Sequence, residues 1–216
     1  MNSSNLTIAV LGANGRSGEV FVREALKHGY KVKAGIFSGD LPPSENLEVL
    51  HCNVMNQDDI NKICDGVDVV VSLIGHGSKS PADLQQMAMK NIIIALANKP
   101  NTRLITLTGT GVRCVGDKPS LIDRFLNFGI KKVDPQRISD GVKHVDILKA
   151  SNISWTVIRV LKLTNGDNMG EVTMNLTGPA ELFTPRTRVA RAIIQIIDNN
   201  LYQKECPIIT GVKKES

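Results

Sequence analysis

The most specific chemistry in the sequence lies in three glycines near its start, in the run Gly12-Ala13-Asn14-Gly15-Arg16-Ser17-Gly18. A glycine at the end of a buried strand permits a sharp turn into a helix. A second lets backbone approach a bound group, and a third lets the helix pack closely on the strand. The first helical N–H groups, near Arg16, Ser17 and Gly18, have no intrahelical partner, and the helix dipole favours an anion there; together they suit a pyrophosphate. The flanks are those such a loop requires. Leu6–Leu11 is a short apolar run, and Val20, Phe21, Ala25 and Leu26 follow at helical spacing. The alternative, an ordinary glycine-rich turn, fits those flanks poorly.

Other chemistry-bearing positions follow from where a dinucleotide would extend. At the end of the second strand an acidic residue would hold ribose hydroxyls and an arginine a 2′-phosphate. The sequence has Phe37-Ser38-Gly39 there, then Asp40. Arg16 could reach a 2′-phosphate or lie solvated, and Asp40 could pair with a ribose. NADP is the expected cofactor, with NAD left open. His76, in Gly75-His76-Gly77, titrates near neutral pH and is a candidate proton donor, although such a histidine more often hydrogen-bonds phosphate or backbone. Lys143 and His144 are polar groups late on a later helix, where a solvated helix face is the competing reading. No cysteine or histidine spacing suits a metal, and none is expected.

These positions must be held by alternating strands and helices. Strands are predicted at Tyr30–Phe37, Leu47–Cys52, Val67–Ile74, Arg103–Thr108, Trp155–Val160 and Pro207–Val212, with a small one at Glu171–Thr177. Helices are predicted after the glycines, at Asn56–Cys64, after Pro81, and at Ser120–Phe128, Asp134–Ala150 and Pro185–Asp198. Such alternation implies an α/β doubly wound Rossmann fold, a mostly parallel sheet of about seven strands with helices on both faces. Ligands bind at the carboxyl ends of such strands. That nominates the loops Gly12–Gly18, Phe37–Asp40, Gly75–Lys79 and Thr108–Arg113, with Val160–Gly170 closing over them. One domain over 1–216 is expected, its part from about 155 to 216 completing the cleft.

The G-x-x-G-x-x-G spacing, with Ala13 and Asn14 between the first two glycines, resembles the atypical short-chain dehydrogenase/reductases. Within them it is closest to the NmrA-like and biliverdin/flavin-reductase-like branches. The resemblance implies that Asn53 and Val54 stand at the adenine edge, where that family commonly has Asp and an apolar residue. It implies that Ile74, Gly75 and His76 pass the nicotinamide ribose, and that Phe37 stands where an arginine is common. Thr108 flanks the place of the family's serine, and Val160 follows Arg159 where Arg-Pro is usual. Typical members use a Tyr-x-x-x-Lys pair, but neither Tyr30 nor Tyr202 has lysine four positions later. The cofactor-binding set is then Gly12, Asn14, Gly15, Arg16, Ser17, Gly18, Phe37, Ser38, Asn53, Val54, Ile74, Gly75, His76, Thr108 and Val160. The catalytic residue is unassigned, with His76, Thr108 and His144 as candidates. The expected function is an NAD(P)H-dependent oxidoreductase passing hydride to a flavin-, quinone- or tetrapyrrole-like acceptor. The alternative is a non-catalytic dinucleotide-binding sensor of the NmrA-like type.

Composition bounds the partners. The 216 residues carry a net charge of +5, and hydrophobic residues make up 42%. No apolar run approaches the roughly 20 residues of a membrane span, so a cytoplasmic protein is expected. Dense Lys/Arg runs with interleaved aromatics are missing, which argues against nucleic acid. The expected partner is a small-molecule acceptor, anionic or aromatic, on a monomer or homodimer. Cys52, Cys64, Cys114 and Cys206 are scattered, and reduced thiols are expected.

Overall fold

Strand β1 (Thr7–Leu11) sends Ile8 and Val10 to one face of a sheet and Ala9 and Leu11 to the other, and all four are fully buried. A strand hidden on both faces must sit in the sheet's interior with helices on each side. Helices α1 (Arg16–Lys27) and α6 (Arg186–Asp198) cover the first face with Phe21, Val22, Ala25, Val189, Ile193 and Ile196. Helices α2 (Gln57–Ile63), α3 (Leu84–Leu96) and α5 (Pro135–Lys149) cover the second with Ile60, Ile63, Met89, Ile92, Val145 and Leu148. The computed structural model describes residues 6–75, 77, 80–133, 135–166 and 170–212.

The other strands of the main sheet are β2 (Lys31–Ile36), β3 (Leu47–His51), β4 (Val69–Ser72), β5 (Arg103–Gly109), β6 (Ser154–Val160), β8 (Val172–Asn175) and β10 (Ile208–Val212). Their order is β3-β2-β1-β4-β5-β6-β10-β8, with every pairing parallel except β10 with β8. The doubly wound fold expected from the sequence is present, with eight strands in place of about seven. The reversal of order between β1 and β4 places the ligand crevice at the carboxyl ends of those strands. A two-stranded pair, β7 (Leu163–Thr164) with β9 (Thr184–Pro185), was not visible as periodicity because each strand is too short to show one.

Two features outside the sheet's regularity shape the crevice's far side. Arg159 on β6 has no exposed surface. Its guanidinium donates to the carbonyls of Cys206 (2.9 Å), Val112 (3.3 Å) and Leu176 (3.0 Å) and to Asp117 Oδ2 (2.6 Å). It therefore ties the loop after β5 to both the β8 and β10 connections.

Helix α4 (Leu121–Val133) is turned the other way round from most surface helices. Its buried residue is Asp123, 1% exposed, which pairs with Arg113 at 2.6 Å, while Asn127 donates to Asp123 and to Thr110 Oγ1. Leu121, Ile122, Phe125, Phe128 and Val133 stay exposed. The sequence places a helix here from Ser120 to Phe128; the structure carries it to Val133 with its apolar stripe outward.

Candidate functional site

The glycine loop has the backbone that the sequence demands. Gly12 turns at φ +74°, and a Cβ on Gly18 would stand 2.1 Å from the Gly12 carbonyl oxygen and 2.6 Å from that of Ala13. Only glycine lets α1 begin this close to the loop. Gly15 is the N-cap of α1, and no side chain caps the helix, so its first N–H groups remain available. The loop is braced from behind: Ala13 N–H donates to Gly35 O at 3.1 Å, Gly15 N–H to Gly12 O at 3.1 Å, and the Asn14 amide to Ser38 O. Asn14 thus joins the loop to the β2 end through its side-chain amide.

Beyond β2, Phe37 is 66% exposed with its ring 6.0 Å from that of His51. An exposed aromatic face at the mouth of this crevice offers a stacking surface for a planar base. Ser38 lies exposed beside it, and Asp40 accepts the Leu41 N–H at 2.8 Å. Asn53 Oδ1 accepts the Met55 N–H at 3.0 Å, and its own N–H goes to Asp59. Its carbonyl oxygen therefore serves a local turn. Val54 accepts from the Asn91 amide through its carbonyl and packs on the second core.

Arginine 186 was missed in the sequence, and no local signal marks it. It opens α6 and is 8% exposed. Its Nη1 donates to Asn165 Oδ1 at 2.7 Å, and its Nε has no hydrogen-bond partner among the described residues. Thr187 Oγ1 donates to Gly166 O, so the start of α6 is pinned to the segment expected to close over the crevice. Burial lowers the Arg186 pKa, and the neighbouring Arg16 charge lowers it further. The Arg16 charge, at the start of α1, is thus felt by Arg186 at the start of α6. Such repulsion is relieved by an anion between them.

On the other side of β1, Ile74 accepts from Gln85 Nε2 at 3.1 Å, and Gly75 has open space around its Cα. His76 lies outside the described residues. Val160 is buried, and its carbonyl accepts the Thr110 N–H. Thr108 is also buried, its hydroxyl oxygen packed where a Cβ on Gly141 would meet it at 3.1 Å. His144 departs from expectation most. It is 1% exposed, with neither ring nitrogen hydrogen-bonded among the described residues. It borders a narrow gap, too tight to admit a water molecule, with Ser72, Ile74, Gln85, Ala88, Met89 and Thr106. A larger depression, about 520 Å³ between Lys27, His28, Arg191 and Asp198, lies at the opposite ends of α1 and α6 from the glycine loop.

Burial pushes the His144 pKa down to about 4, against a small opposing pull from Asp140. The unfolded chain takes up this proton near pH 6.5. Above that pH both states are neutral and His144 makes no difference. As pH falls from 6.5 to about 4 the unfolded state gains a proton that the folded state refuses, and stability drops by about 3 kcal/mol from this residue. His144→Met should flatten the stability profile over that window in urea titrations. An unchanged acid slope in the variant would show that His144 charges within the fold.

Residues 12–200 match a family model described as NAD(P)H-binding. The chain is 26% identical over 167 residues to the chloroplast protein TIC 62 of Arabidopsis thaliana. That alignment covers 63% of this chain but 26% of that protein, so the chain spans about a quarter of that relative. In fold it is similar to a short-chain dehydrogenase/reductase of Veillonella parvula solved with NADP. The TM-score is 0.78 and the identity 16%, with 95% of this chain and 94% of that one covered. It is also similar to a Streptococcus pneumoniae protein assigned provisionally as an NADH-flavin reductase, at a TM-score of 0.76 and 19% identity, covering 95% and 99%. No described helix is long and apolar enough to cross a membrane.

Proposed function

The chain belongs to the NAD(P)H-binding family, and from that premise we propose that it is an NADPH-dependent reductase of a planar aromatic acceptor, of flavin, quinone or tetrapyrrole type. One observation carries the reading: the uncapped start of α1, closed against the Gly12 carbonyl by Gly18, has Arg16 and Arg186 beside it. The N–H groups of Arg16, Ser17 and Gly18 would hold the pyrophosphate, Phe37 would stack on the adenine, and Ile74, Gly75 and Val160 would border the nicotinamide end. A bound nicotinamide dinucleotide supplies the hydride. The residues here bind and orient it. Asp40 is turned to its own loop, which leaves the Ser38 corner without a carboxylate aimed at a 2′-phosphate.

An ordinary carbonyl reduction would need a phenol at the reacting oxygen. Tyr30 donates to Asp198 at 2.5 Å and Tyr202 to Met174 O at 2.9 Å, so both hydroxyls are engaged in holding α6 and β8. Acceptors whose reduced forms take protons from water suit such a site better. The deciding experiment is NADPH oxidation followed at its absorbance with flavins, quinones and biliverdin. Turnover of at least one supports the reading. Tight NADPH binding with no turnover of any would replace it with the sensor reading.

Arg16 gives a sharper test. From the sequence it could serve a 2′-phosphate or lie in solvent; because its charge acts on Arg186, we assign it to the pyrophosphate. A charge-assisted bond there is worth roughly 1.5–3 kcal/mol. Arg16→Ala should therefore weaken NADPH and NADH alike, by on the order of tenfold or more, in calorimetry. A loss confined to NADPH would return Arg16 to the 2′-phosphate.

A further inference from the structure

Cys114 and Cys206 are far apart in sequence, yet their side chains act directly on one another. The surrounding backbone holds them there. Arg159 donates to the Cys206 carbonyl at 2.9 Å and to Asp117 Oδ2 at 2.6 Å, and that same carboxylate oxygen accepts the Cys114 N–H at 3.0 Å. One buried ion pair therefore grips both cysteines. Asp117 N–H closes the turn by donating to the Cys114 carbonyl at 3.2 Å. Cys114 is half-buried within the loop after β5, so a small reagent can reach it, and Cys206 is buried.

We propose that Cys114 and Cys206 are an oxidisable dithiol that a hydroperoxide closes to a disulfide, fastening the loop after β5 to the segment entering β10. The two thiols differ in the way such chemistry needs. The Cys206 side chain holds Cys114 well below the ordinary thiol range. Burial opposes this, and the Arg159 and Lys149 charges add to the lowering. The same interaction, with burial, raises Cys206. The thiolate, not the thiol, is the nucleophile. Cys114 sulfur attacks one peroxide oxygen, the O–O bond breaks, and hydroxide leaves, giving Cys114 sulfenic acid. Cys206 sulfur then attacks the Cys114 sulfur, forming S–S and breaking S–O. Its thiol proton departs with the hydroxyl as water. The two sulfurs lose two electrons between them, and hydrogen peroxide is reduced to two molecules of water, the hydroxide taking up the proton that Cys114 shed on ionising.

The other pair supplies an internal contrast. Cys52 and Cys64 are buried, and burial foremost pushes their thiols up to about 12 and about 11, so they stay protonated and unreactive.

The test treats the reduced full-length chain with hydrogen peroxide, alkylates what remains, and reads intact mass and a peptide map. The expected result is two alkylatable thiols of the original four, with the Cys114 and Cys206 peptides joined. Cys206→Ser should stop the reaction at a Cys114 sulfenic acid that dimedone labels, and Cys114→Ser should leave its three thiols reduced. The proposal is overturned by Cys114 passing to sulfinic acid in the unaltered chain with no crosslink. It is equally overturned by four thiols surviving, or by a crosslink that includes Cys52 or Cys64. The peptide map of the unaltered chain decides even if a variant fails to fold, and it does so whether or not the chain binds a dinucleotide.

Discussion

Arg159→Leu should cost the folded chain about 3–5 kcal/mol, more than the loss of any surface charge. The guanidinium is wholly buried and donates to three carbonyls and to Asp117, whose side chain is itself buried. Leucine fills part of the volume but leaves a carboxylate facing the interior without a counter-charge. Each acceptor orphaned in this way carries a desolvation cost of about 1–3 kcal/mol, more when charged. Denaturation in urea would show the loss as a fall in midpoint with little change in slope. Adding Asp117→Asn should recover part of it, because the stranded charge is then gone. A loss below about 1 kcal/mol, or no recovery in the double variant, would show that water reaches Asp117.

The second large effect belongs to Gly18. Gly18→Ala puts a methyl 2.1 Å from the Gly12 carbonyl oxygen and 2.6 Å from that of Ala13, and both obstacles are backbone. No side chain can swing aside, so α1 must slide away from the loop. Overpacking of this kind costs typically 1–3 kcal/mol. The displaced N–H groups would also lose a pyrophosphate held at hydrogen-bond distance. Dinucleotide binding should fall by at least 100-fold in calorimetry while circular dichroism still reports the α/β fold. Gly15→Ala is the milder control, since its Cβ would lie 3.2 Å from a single backbone oxygen. If Gly18→Ala binds NADPH as the unaltered chain does, the loop is not the dinucleotide site.

The parts of this molecule that the sequence displays are those written locally. The strand before Gly12, the helix after Gly18 and the alternation down to α6 each depend on neighbours within a few residues, and period and glycine placement report them. Hidden features join distant positions. Nothing near Arg186 announces that it feels the charge of Arg16, and nothing near Cys206 announces Cys114. The resemblance to known reductases sets Arg159 where Arg-Pro is usual; it does not announce that the guanidinium ties together the β5, β8 and β10 connections. His144 is a candidate in the sequence as a polar group late on a helix, and nothing local says that it is buried. Helix α4 makes the same point: periodicity identifies its apolar stripe but cannot say that the stripe points out.

That reversed helix has a consequence for how the molecule opens. Most helices resist detachment because leaving exposes oily surface, a cost that rises with the area uncovered. Detaching α4 uncovers Asp123 and Asn127, groups that water welcomes, and breaks the ion pair to Arg113. Its hold on the body is electrostatic, so salt loosens it. Amide exchange along 121–133 should run ahead of that in α1 or α6 and quicken as ionic strength rises, because the door beside the β5 loop is latched by charge and hung on very little else.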